Sequence, residues 1–218
     1  MLAGARIGLG KAFTLVIIFT LIIIVGGYYW IAGELLKTDT RDVYQFKNDL
    51  LQDKLSRNPT DIDAKLDLVV SQYLQGKTGD ALNTSQSILE QDPENTSALF
   101  YMGLIKVDMK DYKSAIPLLE KVLSVNPGLQ PRLLYYNLGM AYFQAGNYAK
   151  AIETLKVASR VDPGSGPASY YLGMSYLKLG QYQNARIPLQ KALSLGENTS
   201  ETKRALANID VQLKKQSR

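Results

Sequence analysis

The stretch "LLYYNLGMAYFQAGNYAKAIETLKVASRVDP", residues 133–163, decides the fold. Apolar and aromatic residues recur at helical spacing on both sides of Gly146-Asn147, and Pro163 ends the pattern. The stretch therefore reads as two amphipathic helices joined by a tight turn. Neither helix can bury its apolar stripe by itself, so a neighbour of the same kind is required.

Such neighbours lie at a regular distance along the chain. Pro59, Pro93 and Pro127 stand 34 residues apart, Pro163 follows 36 further on, and Glu197 lies 34 beyond it. A fixed period with two helices per repeat predicts a helical solenoid in which stacking creates the core. Gly146 and Gly180 suit turns that a β-carbon would strain. Gly139 and Gly173, facing Ala151 and Ala185, let the two helices of a pair approach closely. The prolines at the repeat boundaries stop each second helix. Pro117 and Pro188 are expected early in second helices, where a missing N–H costs little.

The third repeat presents Tyr135, Leu138, Gly139, Tyr142, Ala151, Leu155, Ala158 and Pro163. The fourth presents Leu172, Gly173, Tyr176, Ala185, Leu189 and Ala192, with Ser169 and Glu197 departing from the pattern. The second carries Leu99, Gly103, Ala115, Leu119, Val122 and Pro127, with Met102 and Lys106 as departures. The first is degenerate: Leu68, Ala81, Ile88 and Pro93 fit, whereas Lys65, Val69, Gln72 and Ser85 do not. This pattern resembles the tetratricopeptide repeat (TPR) family, including bacterial-type membrane-anchored members. The resemblance implies an all-α, right-handed α-solenoid of about four helix pairs with flanking capping helices.

The expected organisation is a short basic N-terminus (1–11), a transmembrane helix (12–32), and a linker with an amphipathic helix (33–61). Four repeats follow over 62–197 (62–95, 96–129, 132–165 and 166–197), then a C-terminal capping helix and tail (198–218). Residues 12–32 carry no charge, and as a helix they would reach about 31 Å, against ~30 Å for a bilayer core. Arg6 and Lys11 precede the run, and Tyr28, Tyr29 and Trp30 sit near its far end, at headgroup level. A cleaved signal peptide is the competing reading, with a poor cleavage site before Tyr28. The expected location is a single-pass bacterial plasma-membrane protein, N-terminus cytoplasmic and repeats extracytoplasmic. In the amphipathic helix, Val43, Phe46, Leu50 and Leu51 form the stripe expected to pack on the first repeat. In the capping helix, Asn198 and Glu201 resemble a capping pair, and Leu206, Ile209 and Leu213 share a face.

Composition narrows the chemistry. The chain has neither Cys nor His, so disulfides, thiolate catalysis, zinc sites and Ser-His-Asp catalysis are excluded. Twenty-five Lys+Arg against 20 Asp+Glu give a net charge of +5, spread without a basic face of the kind nucleic acid requires. "LQGKTGD" ends like a phosphate-binding loop, but Ser71 stands where its first glycine would be, and no strand precedes it. No catalytic, metal or cofactor site is expected, and the chain is not expected to be an enzyme.

The TPR resemblance implies ligands on the face formed by the first helices of successive pairs. By register these places hold Phe100, Leu104 and Val107, then Tyr136, Met140 and Phe143, then Tyr170, Met174 and Leu177. Leu66, Val70 and Tyr73 are their counterparts in the first repeat. Lys178 alone does not make a carboxylate clamp. The implied partner is a protein or peptide with an apolar segment, beside a bilayer and other transmembrane subunits reached through 12–32. The implied function is a membrane-anchored scaffold or assembly factor; the alternative is a fixed accessory structural subunit of a respiratory or cytochrome-related membrane enzyme complex.

Overall fold

A computed structural model describes residues 40–216, with side chains from Val43 onward, and every regular element among them is an α-helix. The chain divides into two compact segments, 1–49 and 50–218. Of the first, the described residues are the opening of α1 (Thr40–Arg57), where Val43 and Phe46 are 66% and 72% exposed. In the second segment Leu50 is exposed too, while Leu51 and the half-buried Leu55 pack with Ala64 and Leu68. The expected stripe is therefore divided: Leu51 joins a core, and the other three members face outward. Helical periodicity gives an angle around the helix axis, and α1 turns a different edge inward.

Four helix pairs follow: α2 (Ile62–Leu74) with α3 (Thr78–Leu89), and α4 (Thr96–Asp108) with α5 (Tyr112–Val125). Then come α6 (Pro131–Gln144) with α7 (Tyr148–Val161), and α8 (Gly166–Lys178) with α9 (Tyr182–Ser194). A final helix, α10 (Thr199–Gln216), lies against α9 and α8, with Ile209 fully buried and Leu206 and Leu213 half-buried. From α2 onward each helix packs on its sequence neighbours, and successive first helices also touch. This is the stacking that amphipathic helices of a repeat need in order to bury their stripes.

Local chemistry sets the helix starts. Asp61, Asn95, Asp111, Asn147 and Ser165 each accept a hydrogen bond from the backbone N–H three residues on, at 2.9–3.3 Å. These bonds satisfy donors that the first helical turn leaves open. Within three of the pairs the turn passes through a left-handed glycine, Gly76, Gly146 or Gly180, at φ 70–80°. In the second pair Lys110 takes that place at φ 60°.

The second, third and fourth pairs share one close contact. A β-carbon on Gly103, Gly139 or Gly173 would lie 2.6, 2.6 or 2.5 Å from Leu119, Leu155 or Leu189 respectively. Only hydrogen fits there, because the leucine of the second helix occupies the space. In the first pair the same register holds Val69 and Ser85, both fully buried. Pro117 and Pro188 lie inside α5 and α9, beyond the first turn. Each therefore removes one helical hydrogen bond, contrary to the cost-free placement expected of them.

Among the described residues no helix is long and apolar enough to cross a membrane. The paired helices have 12–14 residues, about 20 Å of rise, and the two 18-residue helices are too polar. The expected transmembrane run 12–32 and the N-terminus 1–11 lie outside the described residues, as do 33–39 and 217–218. The single-pass, extracytoplasmic location is accordingly corrected: what is described is a helical repeat stack without a membrane-crossing helix.

Candidate partner-binding face

The first helices α2, α4, α6 and α8 lie side by side, followed by the start of α10, so their outward residues form one continuous face. The expected contact residues divide on it into two groups. Phe100 is 1% exposed, Leu104 and Val107 are 4% and Tyr170 is 5%, so these four are core. Tyr136, Met140, Phe143, Met174 and Leu177 are half-buried, as are Leu66, Val70 and Tyr73 of the first pair. Neighbouring first helices cause the difference. Phe100 shares a core with Leu134 of α6 and the half-buried Leu129 of the preceding loop. Tyr170 stands beside Glu201 of α10. The second pair's members are thus covered, and the open aromatic and methionine part of the face lies on the third and fourth pairs, with a smaller open part on the first.

Aromatic rings dominate that part. Tyr171 stands 5.2 Å from Phe143, 6.4 Å from Tyr136 and 5.3 Å from Tyr170, and Phe143 stands 5.6 Å from Tyr148. All are tilted or edge-on, the arrangement that ring quadrupoles prefer. A smaller set on the first two pairs joins Tyr73, Tyr101 and Phe100, and the Tyr73 hydroxyl donates to Asp108 at 2.8 Å. Tyr101, Tyr148 and Tyr171 were absent from the sequence-based set. The doublets Phe100-Tyr101 and Tyr170-Tyr171 were the available signal: when one ring turns into the core, the next lies about 100° further round.

Two cavities open on this face. The larger, ≈ 520 Å³, is lined by Phe143, Gln144, Tyr148, Tyr170, Tyr171, Met174, Lys178, Asn198 and Glu201. The other, ≈ 380 Å³, lies among Asp63, Leu66, Asp67, Val70, Ser97, Phe100, Tyr101, Leu129 and Gln130. The two-residue-longer connection between the second and third pairs supplies Leu129 and Gln130, the latter at φ 45°. Burial, followed by the charges of nearby groups including Glu197, pushes the Tyr136 phenol up to about 12. Burial and the Glu201 carboxylate push Tyr170 well above the ordinary phenol range. These hydroxyls therefore stay neutral at physiological pH. Asn198 sits at φ 40°, and its carbonyl accepts from Thr202 N–H at 2.8 Å at the start of α10.

A separate polar cluster links the second and third pairs. The Tyr142 hydroxyl donates to Glu120, Lys150 Nζ donates to the same carboxylate at 2.8 Å, and the ammonium lies 5.1 Å from the Tyr142 ring centre. Lys150, with Tyr142, holds the Glu120 carboxyl below its ordinary range, and burial pushes Tyr142 up to about 12. The cluster is a stacking contact between pairs. Among the described residues no group of acidic side chains is positioned to hold a metal ion.

Known proteins share this architecture. The family model for anaphase-promoting complex (cyclosome) subunit 3 matches residues 108–192. The small glutamine-rich tetratricopeptide repeat-containing protein 2 of Mycosarcoma maydis is 30% identical over 128 residues, covering 59% of this chain. Superkiller protein 3 of Schizosaccharomyces pombe is 25% identical over 134 residues, covering 62% of this chain. The chain spans only 36% and 10% of the lengths of these two relatives. The solved structure of a MamA mutant superposes with a TM-score of 0.64 at 26% identity, covering 72% of this chain and 90% of that one. Periodic sequence, stacked helix pairs and these likenesses together make the described repeats a TPR-type α-solenoid.

Proposed function

We infer that the chain is a protein-interaction scaffold or assembly factor that holds a partner segment on its first-helix face. The observation that carries this reading is the half-buried aromatic and methionine surface of the third and fourth pairs, built from Tyr136, Met140, Phe143, Tyr171 and Met174. These residues are packed well enough to be held in place, yet open enough to be covered further. Rigid rings supply contact area at low entropic cost, and methionine adapts to irregular shapes. The MamA and glutamine-rich TPR likenesses support a binding module.

Photo-crosslinking tests the reading. A benzophenone side chain placed at Met140 or Met174 should form a discrete adduct with a partner in the native extract. The same group at Ile187, which is 74% exposed on α9, should not. Equal adducts from both positions, or adducts at Ile187 alone, would remove the first-helix face as the partner site.

A further inference from the structure

The charges on the first-helix face run against the charge of the whole chain. The protein carries a net +5, yet Asp63 and Asp67 line one cavity and Glu201 lines the other. Glu201 lines the same cavity as the Tyr170 and Tyr171 rings, and Glu197, beside Gly166 at the start of α8, acts electrostatically on Tyr136, Tyr170 and Tyr171. Lys178 is the one base lining either cavity among the described residues. It sits in the last turn of α8, where a helix C-terminus favours a cation. Arg132, at the start of α6, is held by Asp162 at 2.8 Å, and Lys106 pairs with Asp111 at 3.5 Å.

We propose that the segment held on this face is cationic and partly apolar, laying apolar side chains on Tyr136, Phe143, Tyr171 and Met174 while an arginine or lysine reaches Glu197 and Glu201. The proposal rests on the reading that this face is the partner site. Ring faces attract a cation within about 6 Å of their centres, and a guanidinium can stack on a ring while bonding a carboxylate. A segment rich in carboxylates would meet Glu197 and Glu201 at like charge, an arrangement that works against binding.

Two labelled helical peptides test it, one with leucine on one face and arginine on the other, and one with glutamate in place of arginine. Fluorescence anisotropy would follow their binding to the full chain. The arginine probe should bind at least about tenfold tighter than the glutamate probe, with an affinity that falls as salt rises. Glu197→Gln with Glu201→Gln should weaken it about fivefold, whereas Glu153→Gln, in an exposed position on α7, should leave it unchanged. Tyr171→Leu, which keeps apolar bulk but removes the ring, should also weaken it. Equal affinity for the two probes, or no effect of the paired glutamine variant, overturns the cationic assignment. If Tyr171→Leu still weakens binding in that case, the face itself survives as the partner site. Binding indifferent to all these substitutions overturns both, and failure of the arginine probe to bind overturns the charge assignment, leaving the face to the crosslinking result.

Discussion

The first helix pair and the three after it solve one packing problem in opposite ways. In the later pairs the first helix carries glycine and the second carries leucine: Gly103 with Leu119, Gly139 with Leu155 and Gly173 with Leu189. In the first pair the large residue moves to the first helix as Val69, and the small one to the second as Ser85. The Ser85 hydroxyl donates to Ala81 O at 2.8 Å, so the exchange leaves no buried hydroxyl without a partner. A similar exchange occurs where the third pair has Tyr142. The first pair has Gln72, which accepts from Thr84 at 2.9 Å. Volume at the helix contact is what the architecture conserves, and the helix that supplies it is free to change. The first pair also contributes only small apolar clusters, whereas one continuous core runs from Leu99 to Ile209.

The strongest way to break this comparison is Gly173→Val. Its β-carbon would stand 2.5 Å from the Leu189 side chain and 3.1 Å from its backbone nitrogen, so it should destabilise the fold by about 3 kcal/mol in urea unfolding. Adding Leu189→Ser reproduces the first pair's arrangement and should recover more than about 1 kcal/mol of that loss. A double variant no more stable than the single one would show that the exchange is not a matter of volume.

Next in size is a pH effect that sharpens the tyrosine–glutamine contrast. Tyr136 and Tyr142 sit at about 12 in the fold against an ordinary 10.0, so the folded state keeps protons that the unfolded state releases. Their stabilisation is complete below pH 10 and declines as pH rises from there towards 12. Thermal melts should fall across that window, and Tyr142→Gln, the first pair's residue at this place, should flatten the decline. An unchanged slope in that variant would remove Tyr142 as a contributor.

The smallest effect concerns the turns. Lys110 holds φ 60° where the other pairs have Gly76, Gly146 and Gly180, and nothing lies within 4 Å of a β-carbon at those glycines. Left-handed strain is therefore the main difference, and Lys110→Gly should raise stability by about 1 kcal/mol. A lower midpoint in urea would mean that the lysine side chain contributes more than its backbone costs.

Much of the fold was legible because its determinants are local or periodic. Proline spacing and glycine turns act within a few residues, so they can be read without knowing the neighbours. The candidate face was less legible. Register placed Phe100, Leu104, Val107 and Tyr170 on the first-helix stripe, but the adjoining first helices and α10 cover them. Tyr171 was missed because a position adjacent in sequence lies on a different side of the helix, and only the neighbouring rings give it a role. The outward turn of Phe46 and Leu50 on α1 has the same origin.

From sequence alone, the residues determined an all-helical repeat with its period and turns, and the absence of cysteine and histidine excluded their chemistry. Tertiary structure decided which apolar residues remain open, how Val69 and Ser85 exchange volume, and that Glu201 of α10 shares a cavity with Tyr170 and Tyr171 of α8. The physical reason is range: backbone preference and helical periodicity act along the chain, whereas burial and charge proximity depend on elements that only stacking brings together.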